Sequence, residues 1–156
     1  MLASRRTLLA LGGGGVVALV TGCSAASIPI IGPPDPDDEL RRGVAASERD
    51  LIAAYDAAIG AAGRSAGLLR TLRQQHVDHL TAVTQDLDDA GAAAVSPSAT
   101  TGAVTPAALR RLEAAATRQR IEACAAADDA DLAELLARIA ASESGHVAAL
   151  SARARA

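Results

Sequence analysis

The chain has 156 residues, room for one domain. Half of the residues are apolar, most of these are alanine, and Tyr55 is the only aromatic side chain; this favours helices over a strand-built core, which needs β-branched and aromatic residues. The formal net charge is −3 and every basic residue is an arginine. With no basic stripe and no aromatic platform, the composition argues against nucleic-acid binding.

The first residues read as an export signal. Two arginines lie within Met1 to Arg6, and Leu8 to Val20 form an apolar run too short to span a bilayer comfortably. Val20-Thr21-Gly22-Cys23 follows, and the whole order resembles the lipobox signal of bacterial lipoproteins. That resemblance implies a signal peptide over 1–22 and a diacylated Cys23 as the new N-terminus. The protein is then expected on the extracytoplasmic face of the cell membrane, held by lipid chains worth roughly 0.8 kcal/mol per buried methylene. Ser4-Arg5-Arg6-Thr7-Leu8-Leu9 also resembles the twin-arginine export motif, so general secretory and twin-arginine export both stay open. With Cys23 lipidated, Cys124 has no intramolecular partner, and it reads as a small buried apolar residue.

Residues 23–36 form a proline-containing tether, and the domain is expected over 37–153. Asp35-Pro36, followed by three acids, is a helix start: a capping acid, proline in the first turn, and negative charge facing the helix dipole. The first helix is expected to reach about Ala62, with Gly60 and Gly63 closing it and with Leu40, Val44, Leu51, Tyr55 and Ile59 inward. Glu48 takes the one missing step of that stripe. A second helix begins near Ser65 and carries Leu69, Leu72, His76, His79, Val83 and Leu87 at steps of three and four. Residues 90–104 are small and polar and lack any period, so they read as a long connection. Thr105-Pro106 starts a third helix running to about Ala126, with Leu109, Leu112, Ala116 and Ala123 inward. The Asp128-Asp129 turn starts a fourth, whose stripe is Leu132, Leu135, Leu136, Ile139 and Leu150.

The fold class is therefore all-α. Two antiparallel helical hairpins joined by a long crossover make a four-helix bundle of ferritin-like topology. Polar residues interrupt all four stripes at one height. Counted from the Gly63 turn, Glu48 lies 15 residues before it, and His76 and His79 lie 13 and 16 after it. Counted from Asp129, Glu113 lies 16 before, and Glu143 and His146 lie 14 and 17 after. Antiparallel helices rise equally per residue, so these six side chains belong to one layer; Glu113 is one step off Leu112 and flanks its stripe.

Glu143-Ser144-Gly145-His146 is a Glu-x-x-His motif. With Glu48, His79 and Glu113 it resembles the ligand set of ferritin-like di-iron carboxylate proteins, which take one Glu from each of two helices and Glu-x-x-His from each of the others. His76 departs from the pattern by standing where that family has a bridging glutamate. The lipobox and the alanine-rich bundle together resemble ferritin-like actinobacterial lipoproteins. The resemblance implies a metal site of Glu48, His76, His79, Glu113, Glu143 and His146, with iron, manganese or zinc as cofactor. An imidazole in place of the bridging carboxylate speaks against ordinary ferroxidase chemistry.

A second reading stays open, in which the layer is metal-free, satisfied by Glu–His and Glu–Arg pairs with Arg73, Arg110 or Arg120 as partners, and the protein is an envelope interaction or structural module. Arg41, Arg42, Arg49, Arg70, Arg111 and Glu134 read as solvated faces, and Tyr55 as core packing. The sequence holds no catalytic triad, no phosphate-binding glycine loop and no Cys-x-x-Cys, so no enzyme activity is assigned.

Overall fold

The computed structural model describes residues 35–62, 66–87 and 104–155. The expected signal at 1–22, Cys23, the tether up to residue 34 and nearly all of the 90–104 connection lie outside the described residues. Four helices are present among the described residues, and no strand: α1 (Pro36–Ala62), α2 (Gly67–Thr84), α3 (Pro106–Ala126) and α4 (Ala130–Arg153). None of them is long and apolar enough to cross a membrane.

The starts follow the local chemistry of the chain. An Asp35 carboxylate oxygen accepts from the Asp37 amide at 2.9 Å ahead of Pro36. The Thr105 hydroxyl accepts from the Ala108 amide at 3.1 Å ahead of Pro106. Asp129 caps α4 through the Asp131 amide. In each case a side-chain oxygen satisfies an amide that has no partner in the first turn. Gly60 does not end α1, which runs on to Ala62; one glycine costs a helix about 1 kcal/mol, too little to stop this one. Helix α2 ends at Thr84, so Leu87 lies just beyond it, half-buried in the turn.

Two apolar clusters occupy opposite ends of the helices. One joins Ala54, Tyr55, Ala58, Leu69, Leu72, Leu109 and Leu150. The other joins Val44, Ala45, Val83, Ala123, Leu132 and Leu136. The first cluster draws on the beginnings of both α2 and α3, and the second on their ends, so these two helices run in the same direction. Helices α1 and α4 run the other way. Hence α2 finishes at one end of the packed helices and α3 starts at the opposite end. Burying each Leu or Val contributes about 1.5–3 kcal/mol, and this thin core has few of them.

Three side chains sit differently from the sequence reading. Leu112 is 43 % exposed, and Glu113 takes its inward place at 0 %. The buried stripe of α3 is Leu109, Glu113, Ala116, Arg120 and Ala123; choosing the larger apolar neighbour, Leu112, obscured this 4-3-4-3 rhythm. Arg41 is buried rather than solvated, because it reaches Asp86 at 3.1 Å and Asp129 at 3.7 Å. Beside it, Asp37 accepts from the amides of Asp128 and Asp129 at 3.0 and 2.8 Å. These two residues tie the start of α1 to the tail of α2 and to the turn between α3 and α4.

Candidate metal centre

Between the apolar clusters lies a polar layer to which every helix contributes. Glu48 comes from α1, His76 and His79 from α2, Glu113 and Arg120 from α3, and Glu143 and His146 from α4. Glu48, His76, Glu113, Arg120 and Glu143 are completely buried, and His146 is 3 % exposed; the side chain of His79 is 15 % exposed. All six residues singled out in the sequence thus lie in one layer. Their ligand-type atoms fall into two overlapping groups, each with mutual distances within 4.8 Å: Glu48, His76, His79 and Glu143, and His76, Glu113 and His146. His76 belongs to both.

The hydrogen bonds show how the groups are held. The His76 ring lies between two carboxylates, with Nδ1 2.8 Å from Glu48 Oε2 and Nε2 2.9 Å from Glu113 Oε1. His146 Nδ1 is 3.1 Å from Glu113 Oε1, and its Nε2 is 2.7 Å from Gln75 Oε1. An amide oxygen only accepts, so Nε2 carries a hydrogen toward Gln75; Nδ1 faces the ionised Glu113, a contact that needs a second hydrogen or a bound cation between the two atoms. Tyr55 donates its hydroxyl to Glu113 Oε1. Tyr55 packs in the core, as its place on the α1 stripe requires, and it is also a polar member of the layer.

Arg120 is the layer's own fixed cation. Its Nη2 is 3.2 Å from Glu48 Oε1 and 3.3 Å from Glu143 Oε1, and it also donates to the Ser47 hydroxyl at 3.1 Å. Arg73, by contrast, pairs with Asp56 at the surface, at 2.6 Å.

The environment separates the carboxyl groups. Burial pushes Glu48 upward, but the contacts with His76 and His79 and the charge of Arg120 outweigh it and hold Glu48 at about 2. Glu113 feels the same burial and is likewise held at about 2, by His146, His76 and Tyr55. Glu143 has burial on its side and less help. Arg120 opposes the shift, Glu48 and Glu113 reinforce it, and the carboxyl rises to about 8. Burial works against charge on His76, yet Glu113 and Glu48 on its two sides lift it to about 9. Burial and the neighbouring Glu113 charge both raise Tyr55, which stays a hydrogen-bond donor.

Several ligand-type atoms in the layer lack a hydrogen-bond partner: His79 Nδ1, Glu113 Oε2 and both oxygens of Glu143. The 3.3 Å Arg120–Glu143 contact lacks hydrogen-bond alignment, and His79 Nδ1 lies 3.6 Å from Glu48 Oε1, too far to bond. A buried polar atom left without a partner costs about 1–3 kcal/mol. Imidazole nitrogens and carboxylate oxygens are donors to zinc, iron and manganese, so the residues present fit such an ion, which would satisfy whichever of these open atoms it reached.

The sequence reading missed Gln75 entirely, and nothing in its position on α2 marks it as a partner. Arg120 was one of three candidate arginines. Its step of four from Ala116 and three to Ala123 is the signal that separates it from Arg73 and Arg110. Compared with protein-family models, curated proteins and solved structures, the chain has no significant match.

Proposed function

We propose that this protein is a membrane-anchored, extracytoplasmic lipoprotein of ferritin-like type that binds a divalent transition metal ion in its mid-bundle Glu/His layer. The observation that carries the metal reading is the convergence of six ligand-type side chains from four helices, several with buried donor atoms left unpaired. Zinc, iron and manganese suit those donors. When bound, the ion supplies Lewis-acid character and a strong local positive charge. The chain's own residues position the donors and exclude bulk water.

Ferritin-like topology is supported by the parallel course of α2 and α3, which puts their joining ends at opposite ends of the helices. Anchoring rests on the lipobox resemblance at Val20-Thr21-Gly22-Cys23. Cys23 carries the acyl chains, and the tether sets the bundle off from the membrane surface.

One observation favours the second reading, a metal-free interaction or structural module. His76 lies between Glu48 and Glu113 and Arg120 contacts Glu48, so these two carboxylates have positively charged partners without an ion. Equilibrium dialysis against zinc, iron(II) and manganese(II) separates the two readings. The expected result is stoichiometric retention of at least one of these metals by wild type and loss of retention in Glu113→Ala/His146→Ala. Wild type that retains none of the three belongs to the metal-free module.

A further inference from the structure

Resting on the metal reading above, the two donor groups are not equivalent, and Arg120 separates them. In the group formed by Glu48, His76, His79 and Glu143, the Arg120 guanidinium already lies 3.2 Å from Glu48 and 3.3 Å from Glu143. A divalent ion there would face a completely buried cation that is never deprotonated. Glu113, the carboxylate of the other group, pairs instead with His76 and His146.

That second group has a further feature: each of its three donors is held from behind. Glu48 lies 2.8 Å from His76 Nδ1, which leaves Nε2 facing Glu113. Gln75 lies 2.7 Å from His146 Nε2, which leaves Nδ1 facing Glu113. The Tyr55 hydroxyl orients the Glu113 carboxylate, whose Oε2 is buried and without a partner. A carboxylate or amide behind each imidazole fixes ring orientation and raises ligand basicity, as in outer-shell support of metal ligands generally. In the first group, Glu143 has no hydrogen-bond partner on either oxygen, and His79 none on Nδ1.

We infer that the protein binds one ion, zinc(II) or iron(II), through His76, Glu113 and His146, while Arg120 serves as a built-in cation that keeps the Glu48/His79/Glu143 side free of a second. Two imidazoles and one carboxylate are a donor set suited to either metal, with a position left for water or a small ligand. Formal charge agrees: with all three carboxylates ionised, one divalent ion plus Arg120 balances them. A second ion would leave the buried layer with an excess positive charge.

The test counts zinc on the full chain, held in detergent, by native mass spectrometry, and measures affinity by competition with a chromophoric chelator. Wild type is expected to carry one zinc. Glu143→Gln and His79→Ala should keep that zinc with less than a tenfold change in affinity, whereas Glu113→Gln or His146→Gln should weaken it at least tenfold. Arg120→Gln, refolded with zinc present, should carry two. The inference is overturned by two zinc ions on wild type, by loss of the ion in Glu143→Gln with retention in His146→Gln, or by a folded Arg120→Gln protein that stays at one. Should Arg120→Gln fail to fold, the Glu143 and His146 variants still decide, because they keep the arginine. Wild type that binds none of zinc, iron(II) and manganese(II) defeats the metal reading itself, a result distinct from binding on the wrong side.

Discussion

Raising the pH of the metal-free protein should destabilise it well before any surface group is strained, and the layer sets the size of the effect. His76 titrates at about 9 in the folded state against 6.5 ordinarily, and Glu143 at about 8 against 4.5. In both cases the folded protein keeps a proton that the unfolded chain has released. Stability therefore falls as pH rises, with a slope of about 1.4 kcal/mol per pH unit for each retained proton. The His76 contribution is fully present below 6.5 and is lost as pH rises through 9. Glu143 adds to the fall from 4.5 up to 8. Between pH 6.5 and 8 the loss is on the order of 3 kcal/mol, large against a total stability of roughly 5–15 kcal/mol. Urea melts in chelator at pH 6.0, 7.0, 8.0 and 8.5 measure it, with His76→Gln as the control in which the slope should be roughly halved. A flat or rising stability over that range would refute the charge assignment of the layer.

Other consequences follow from the same contacts. Glu48 and Glu113, both held at about 2, contribute stability that is present above 4.5 and lost as pH falls toward 2, so acid melts should show a second decline below pH 4.5. Tyr55→Phe removes one hydroxyl from Glu113; a hydrogen bond to a charged group is worth about 1.5–3 kcal/mol, a loss that urea denaturation reads directly. Metal uptake at pH 7 should release about one to two protons per ion, since ligands bind deprotonated; calorimetry in buffers of differing ionisation enthalpy counts them, and no release contradicts coordination by His76. Leu112→Gln, at a position 43 % exposed, should change stability by about 0.5 kcal/mol or less. The proposed lipid anchor has its own test: if Cys23 is the acylated residue, Cys23→Ser should shift the protein from the detergent phase to the aqueous phase in cloud-point partitioning.

Helix number and starts were legible because they depend on local chemistry. Asp35-Pro36, Thr105-Pro106 and Asp129 are caps whose function needs no tertiary partner. The height of the polar layer was legible too, since equal rise per residue across a turn relates Glu48 to His76 and Glu113 to Glu143. The inward face of α3 was harder. Its stripe contains Glu113 and Arg120, so apolar periodicity is weakest where the layer is richest, and Leu112 drew the reading one step aside. Arg41 misled for a related reason. An arginine off the apolar stripe looks solvated until Asp86 and Asp129, distant in sequence, are brought to it by the packing. Outer partners such as Gln75 depend on side-chain reach between α2 and α4, which no spacing along one helix records.

The most direct test of the central claim is anomalous diffraction from crystals of the protein grown with zinc and measured at the zinc edge. The expected result is a single peak in the layer, about 2.0–2.2 Å from His76 Nε2, His146 Nδ1 and a Glu113 oxygen, with the Arg120 guanidinium still between Glu48 and Glu143. A layer without a zinc peak, with His76 still bridging Glu48 and Glu113, would contradict metal binding and leave the metal-free module in its place.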